Sequence, residues 1–243
     1  MADLGSWTLG EHTHAGRTHP TYRKGTGPGV IVVSEIPGIT PEVIAYADEV
    51  VDAGFTVVMP HLFGTPGGTA SAGHVARTLG QICISRELSL LALGQTQPVA
   101  GWLRSLARAL HAELGGPGVG ALGMCFTGGF ALAMMVDPSV AAPVVAQPSA
   151  PLPVTPKRSA DVNLSPADLA AVKERAAAGC QVLGLRYRSD PLVGRRFKTL
   201  TRELGDAFLR VEFEGREHGT LTEHRQQEAV DRTLAFFREK LRD

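Results

Sequence analysis

The most chemically suggestive stretch of the sequence is residues 122–129, in which a cysteine stands among glycines between two apolar runs. The run before it, 119–122, predicts a short strand, and the run after it, 130–136, predicts a helix. Cys125 therefore stands where a strand turns sharply into a helix, which is the position of the nucleophile in a nucleophile elbow. This stretch alone also fits a buried core cysteine, because free cysteine is among the most buried residue types.

Asp190 and His218 could supply the groups that activate this thiol. A thiol attacks a carbonyl carbon only as the thiolate. His218 can take or share the proton, and Asp190 can hold the imidazole in the required tautomer. Each also has a simpler interpretation, since Asp190 precedes a proline and could only form a turn, while His218 could be an ordinary loop histidine. The order nucleophile, acid, histidine is that of the α/β-hydrolases.

Alternating apolar strands and helices predict how these residues are positioned. This alternation predicts a single α/β domain with a doubly wound, mostly parallel sheet flanked by helices. Residues 61–80 and 147–163 are predicted to be loops near the site. The predicted strands are 30–33, 55–59, 119–122, 140–146, 181–187 and 207–213, and the predicted helices are 40–53, 82–93, 99–114, 130–136, 165–179, 193–204 and 223–241.

Glu35, Cys125, Asp190 and His218 each follow the carboxyl end of a predicted strand. In doubly wound sheets the ligand binds at this edge, so four different strands bring chemically active side chains to one place. Glu35 comes after four aliphatic residues, and a carboxylate buried there is costly unless it is paired. Its role in the site is the favoured interpretation, and capping the next turn or pairing with an arginine is the alternative.

The N-terminal segment is treated as an arm, residues 1–28, and the α/β domain as residues 29–243. The arm is expected to be mobile or loosely draped, or to form an edge strand at 6–9. It contains His12, His14 and His19, but no nearby carboxylate or cysteine completes a metal-binding set, so no metal site is predicted.

Composition limits the classes of function. The chain has 243 residues, a formal net charge of zero and a pI near 7.1. Nucleic-acid or acidic-membrane partners are therefore not expected, because both require a basic excess. Three cysteines without a CxxC pair fit a reducing compartment. The polar N-terminus lacks a signal peptide, and no apolar run is long enough for a membrane span, so a cytoplasmic protein is expected.

From about Gly29 to Phe237 the sequence resembles the dienelactone hydrolase family of α/β-hydrolases. The resemblance implies a Cys125–His218–Asp190 triad, an oxyanion hole made by the backbone N–H groups of Ile36 and Phe126, and no cofactor. It also implies that Glu35 contacts the resting thiol until substrate displaces it, and that Arg86 binds substrate. The motifs that carry it are residues 34–38, 54–60, 123–125 with 128–129, 189–193 and 213–219.

Two positions differ from the family pattern. Thr127 stands where the elbow usually has glycine, which predicts a slightly different elbow geometry. Thr222 stands where a second substrate-binding arginine is expected. The predicted substrate is therefore a small-molecule ester, lactone or thioester rather than dienelactone itself, hydrolysed through a covalent acyl-enzyme. An acyltransferase, or a non-catalytic module that binds a ligand or senses oxidants through its thiol, is the alternative, and a homodimer is left open.

Overall fold

An eight-stranded sheet forms the centre of the computed structural model, which describes residues 3–85, 87–88 and 93–242. The order across the sheet is β1-β2-β4-β3-β5-β6-β7-β8. Strands β3 to β8 run parallel to one another, while β1 and β2 pair antiparallel and join the sheet through β4. The strands are β1 (Thr8–His14), β2 (Arg17–Lys24), β3 (Gly29–Val33), β4 (Thr56–Pro60), β5 (Val119–Met124), β6 (Val140–Ala146), β7 (Val182–Tyr187) and β8 (Phe208–Phe213).

Helices flank this sheet, which confirms the predicted fold class, a single α/β domain with a mostly parallel sheet. Thr40 caps α1 as predicted, because its side chain accepts a hydrogen bond from the N–H of Val43. The helices are α1 (Pro41–Asp52), α2 (Ala72–Ile84), α3 (Ala100–Leu114), α4 (Gly128–Met135), α5 (Pro156–Ala160), α6 (Pro166–Ala177), α7 (Arg196–Leu204) and α8 (Gln227–Leu241).

The predicted loop 61–80 and the predicted helix 82–93 were wrong in their boundaries. The helix α2 begins ten residues earlier, capped by the Ser71 side chain, and ends at Ile84. Glycine and alanine dominate its first turns, so this part of the sequence lacks the apolar periodicity that marks a helix. Residues 89–92 of the predicted helix lie outside the described residues.

Both faces of the parallel strands are buried, which explains their continuous apolar sequences. Every residue of β3, β4 and β5 is buried. Along β3, Val30 and Val32 belong to the core cluster that contains residues of α1 and α8, whereas Ile31 and Val33 belong to the cluster on the α3 side. The alternation follows from the two-residue period of a strand, and it supports a rigid platform under the carboxyl edge.

Most of the N-terminal segment that the sequence suggested as an arm forms the hairpin β1–β2. It packs on α3 through His12 and His19, which lie opposite each other and contact the Trp102 ring edge-on, with centroids 5.2 and 5.0 Å away. His12 Nε2 lies 3.0 Å from Ser105 Oγ, and His19 Nε2 lies 2.8 Å from a carboxylate oxygen of Glu87. These histidines therefore have packing and pairing roles in the fold.

Among the helices that the structure describes, none combines the length and the apolar character that a membrane crossing needs.

Candidate active site

The elbow after β5 lifts Cys125 out of the sheet in a strained backbone conformation. Cys125 has φ = 53°, in the left-handed region that non-glycine residues seldom occupy. Two glycines make the turn possible. A Cβ on Gly123 would lie 2.1 Å from the carbonyl oxygen of Thr127, and one on Gly128 would lie 2.7 Å from Cα of Pro148. The strain fits a residue that is held in place for function.

Thr127 fits the elbow by tying it to the neighbouring strand. Its side chain is buried, and Oγ1 accepts a hydrogen bond from the N–H of Met124 at 3.0 Å. Three carbonyl oxygens lie within reach of its single hydroxyl hydrogen, those of Val33 at 3.0 Å, Ser34 at 3.2 Å and Met124 at 2.9 Å. The threonine therefore connects the nucleophile elbow with the end of β3, from which Glu35 and Ile36 follow.

His218 and Asp190 meet at the same edge of the sheet, after β8 and β7. The Nδ1 atom of His218 lies 2.6 Å from Oδ2 of Asp190, and the other oxygen of Asp190 accepts a hydrogen bond from the N–H of Leu192 at 2.9 Å. The second ring nitrogen of His218, Nε2, is buried without a hydrogen-bond partner within the described structure. A ring held on one side and unpaired on the other is arranged to exchange a proton.

The surroundings of His218 favour its charged form. Burial alone would lower its pKa, but the hydrogen bond with Asp190 and the interaction with Cys125 outweigh burial and raise the pKa of His218 to about 10. An imidazolium beside a sulfur atom is a setting that stabilises a thiolate. A ring nitrogen of His218, the sulfur of Cys125 and an oxygen of Glu35 all lie within 4.8 Å of one another.

Glu35 is held by neutral side chains that come from distant parts of the chain. The hydroxyl of Thr222 donates a short hydrogen bond to Oε1 of Glu35, and Nε2 of Gln147 lies 3.4 Å from Oε2. Gln147 also accepts a hydrogen bond from the hydroxyl of Thr220 at 2.7 Å. Burial raises the pKa of Glu35, against the effects of the Thr222 hydrogen bond and the nearby His218. The carboxyl group is therefore linked to the loop that carries His218.

Arg196 holds the segments that follow β6 and β7 and is 0% exposed. Its guanidinium donates to backbone carbonyls of two segments after β6, at Ala150 (3.1 Å), Pro151 and Arg158 (3.1 Å). It also donates to the carbonyls of Leu192 (2.8 Å) and Val193 (3.0 Å), just after Asp190.

Burial lowers the pKa of Arg196 to about 10, opposed by the negative charges of Asp161, Asp190 and Cys125. Arg196 is therefore a buried cation next to the proposed thiolate, and it fixes the loops around it.

A cavity of about 330 Å³ opens directly onto Cys125 and His218. Its walls come from the segment between β3 and α1, from Ala70, and from the turn after His218. The lining residues are Glu35, Ile36, Pro37, Thr40, Glu42, Ala70, Cys125, His218, Gly219, Thr222 and Glu223. This volume lies at the small end of the range for ligand pockets, which suits a small substrate.

The remaining residues named from the sequence have different outcomes. Ile36 lines the cavity, and Phe126 directly follows Cys125 in the helical turn that leads into α4. Their backbone N–H groups are therefore near the nucleophile, and their role as an oxyanion hole stays a prediction. Arg86 lies outside the described residues.

Glu35, Cys125 and His218 also form a group that could hold a metal ion, and within the described ranges His12, His14 and His19 form no such group. Carboxylate oxygen, thiolate sulfur and imidazole nitrogen are the donors that Zn²⁺ takes. Here one carboxylate oxygen of Glu35 accepts a hydrogen bond from Thr222, and Nδ1 of His218 is paired with Asp190.

Sequence reasoning missed three residues that shape the site, namely Gln147, Ser149 and Arg196. It named Thr222 but did not predict its hydrogen bond to Glu35. Ser149 Oγ lies 3.3 Å from Sγ of Cys125, and the N–H of Ser149 donates to the Cys125 carbonyl at 2.9 Å. The signal available for Gln147 and Ser149 was their place directly after β6, at the carboxyl edge where the other site residues lie. Nothing local marks Arg196, which looks like a residue on a surface helix.

Comparisons with known families and structures identify the family and the fold. The model of the dienelactone hydrolase family matches residues 15–240, most of the chain. No curated protein sequence matches the chain at a significant level.

Solved structures resemble the whole chain at low sequence identity. A dienelactone hydrolase from Anabaena variabilis has a TM-score of 0.67 at 16% identity, covering 97% of this chain and 98% of its own. A dienelactone hydrolase-like promiscuous phosphotriesterase from metagenomic libraries has a TM-score of 0.67 at 18% identity, covering 98% and 100%. A zinc-bound, cold-adapted esterase from an Arctic intertidal metagenomic library has a TM-score of 0.60 at 15% identity, covering 98% and 95%. These similarities concern the fold.

Proposed function

Because the chain belongs to the dienelactone hydrolase family, which supports a hydrolase of small esters or lactones, we propose that it is a cysteine-dependent hydrolase of this kind. Cys125 is the nucleophile, His218 the general base and Asp190 the acid that orients the imidazole. The observation that carries the proposal is the 2.6 Å contact between His218 and Asp190, with Cys125 and Glu35 close to His218 in the lining of the same cavity. Thioesters belong to the same substrate class, because their carbonyl carbon accepts the same attack.

The reaction proceeds through a covalent acyl-enzyme. The Cys125 thiolate attacks the carbonyl carbon, and the N–H groups of Ile36 and Phe126 stabilise the charge that develops on the carbonyl oxygen. The tetrahedral intermediate then expels the alcohol, which takes a proton from His218. Water next gives a proton to His218 and attacks the acyl-enzyme, after which the C–S bond breaks, the carboxylic acid leaves, and the Cys125 thiolate and the protonated His218 are restored.

Replacement of Cys125 by alanine tests the choice of nucleophile. We expect wild type to hydrolyse a short p-nitrophenyl ester, and Cys125→Ala to lose this turnover by a factor of about 10³ or more, because the attacking atom is gone. Intact mass spectrometry should detect an acyl adduct on wild type and none on the variant.

Cys83 and Cys180 provide matched controls, since both are free thiols and Cys83 is exposed. Cys83→Ser and Cys180→Ser should keep the activity. If either abolishes it, another cysteine is the nucleophile. Absence of turnover and adduct over a panel of short esters and lactones would favour a non-catalytic module, and faster transfer to an added alcohol or amine than to water would favour an acyltransferase.

Asp190→Asn tests the orientation of the imidazole. The amide cannot stabilise a charged His218 and presents the wrong donor, so kcat should fall by about 10⁴-fold. Steady-state kinetics together with an unchanged circular dichroism spectrum measure this effect. A loss of tenfold or less would contradict the proposed role of Asp190.

A further inference from the structure

The cavity above Cys125 has a marked charge asymmetry. Three glutamates, Glu35, Glu42 and Glu223, belong to its lining, whereas no lysine or arginine of the described ranges does. The imidazole of His218, the basic group of the lining, is already engaged with Asp190. The lining therefore offers a substrate three carboxyl groups and no guanidinium or ammonium group of those ranges.

Glu42 and Glu223 are exposed, and neither belongs to an ion pair among the residues that the structure describes. The cation closest to Glu223 in sequence, Arg225, is used elsewhere, because it pairs with Glu49 at 2.6 Å. Glu223 also shares the lining with Glu35, and its charge adds to burial, the larger cause, in raising the pKa of Glu35. Both glutamates therefore line the cavity without a cation of the described ranges paired to them.

Local structure explains the position of Glu42 but not that of Glu223. Glu42 lies in the first turn of α1, where an acidic side chain interacts favourably with the helix dipole. Glu223 lies in the turn after His218, outside any helix, so this explanation does not apply to it. Its place on the wall of the cavity, beside the loop that presents the catalytic histidine, indicates a role toward substrate.

We propose that Glu42 and Glu223 select the charge of the substrate, so that the site takes esters or lactones whose groups near the scissile bond are neutral or positively charged and rejects those that bear a carboxylate. This inference rests on the proposed function. A carboxylate in the cavity lies within a Debye length of both glutamates, so repulsion raises its energy before the thiol can attack. A quaternary ammonium group is attracted by the same field.

The same field also acts on the product. Hydrolysis adds water across the ester and turns a neutral acyl group into a carboxylic acid, which ionises at neutral pH. The negative cavity then contains a negative product, and repulsion favours its release. Substrate selection and product release would thus follow from the same two side chains.

The test uses three p-nitrophenyl esters of equal chain length whose acyl ends carry a methyl group, a carboxylate or a trimethylammonium group. We expect kcat/KM to fall from the cationic to the neutral to the anionic ester, with roughly tenfold or more between the extremes at low ionic strength. The spread should shrink at about 1 M salt, where the Debye length is only about 3 Å.

Charge removal identifies the residues responsible. In Glu42→Gln/Glu223→Gln the ratio of anionic to neutral turnover should rise several-fold, and the acid product should inhibit more strongly than in wild type. Glu11→Gln removes the same charge from the exposed strand β1 and should leave the ratio at its wild-type value.

The outcomes distinguish a failure of the proposed hydrolase function from a failure of the charge selection. If the neutral ester is not hydrolysed, the proposed function itself fails. If the neutral ester is hydrolysed and the anionic ester is turned over equally well or better, the charge selection is wrong. Loss of that anionic preference in Arg86→Ala would then assign the recognition of the carboxylate to Arg86.

Discussion

Two ionisable side chains lie near the proposed catalytic residues, and they are held in opposite ways. Arg196 is enclosed completely and donates to five backbone carbonyls, whereas Glu35 reaches the wall of the cavity and accepts from two neutral side chains. Backbone carbonyls cannot turn away unless the chain moves, but a hydroxyl and an amide can rotate. The difference indicates a fixed side of the site, which sets geometry, and an adjustable side, which faces substrate.

The largest expected effect comes from Arg196→Met, because it leaves buried carbonyls from three segments without their donor. The free energy of unfolding should fall by about 3–5 kcal/mol. Arg196→Lys should restore part of this loss, since an ammonium can donate to some of the same oxygens. Chemical denaturation measures both variants.

Arg202→Met is the matched control, because Arg202 lies on the same helix with its side chain 68% exposed. It should change stability by less than about 0.5 kcal/mol. If Arg196→Met proved as stable as this control, the distinction between a fixed and an adjustable side would be removed.

A smaller effect is expected from Thr222→Val, which keeps the shape of the side chain and removes the hydroxyl that donates to Glu35. Leaving the buried Glu35 oxygen without this donor costs about 1–3 kcal/mol, and the rotatable Gln147 amide should compensate part of the loss. Thr222→Ser keeps the hydroxyl and should stay close to wild type in thermal and chemical denaturation. Equal losses in the valine and serine variants would show that packing, and not this hydrogen bond, holds Glu35.

The smallest effect, and one that depends on pH, is expected from Glu35→Gln. Burial raises the pKa of Glu35 above its unfolded value near 4.3, so the folded state disfavours the ionised form. Wild type therefore loses stability as pH rises from the unfolded pKa to the raised folded pKa, and the glutamine variant does not. The stability of Glu35→Gln relative to wild type should thus increase as pH rises above about 4.

Denaturation at several pH values measures this difference, and Glu239→Gln, an exposed position, should give a flat comparison. A constant difference across the range for Glu35→Gln would mean that its carboxyl group titrates normally. Of Glu35 and Arg196, only Arg196 would then have a shifted pKa.

Patterns within short windows predicted the fold and the placement of Cys125, Asp190 and His218 at one edge of the sheet, because both depend on local signals. The fully buried β-branched run of β3 and the cysteine among glycines are visible without any knowledge of distant residues. Helix α2 escaped prediction since Gly73 and Gly80 interrupt its apolar pattern. The boundaries of helices and loops near the site were therefore predicted less well than the strands.

The partners of the flanking charges could not be predicted in this way. Glu35 and Thr222 are 187 positions apart, and Glu35 and Gln147 are 112 apart, so no local pattern connects them. In the sequence Arg196 is one of two neighbouring arginines at the start of a helix, and only the packing of the loops after β6 and β7 makes it buried. Side-chain networks of this kind depend on the tertiary structure.

The free edges of the sheet have a consequence for behaviour at high concentration. An unpaired edge strand is a template for intermolecular strand pairing and aggregation, which natural proteins oppose with polar and charged side chains. One edge, β1, carries Glu11, His12 and His14, and the other, β8, carries Arg210 and Glu212. Edge-to-edge stacking of two chains would bring such groups together, so the fold is protected against fibre-like association at both ends of its sheet.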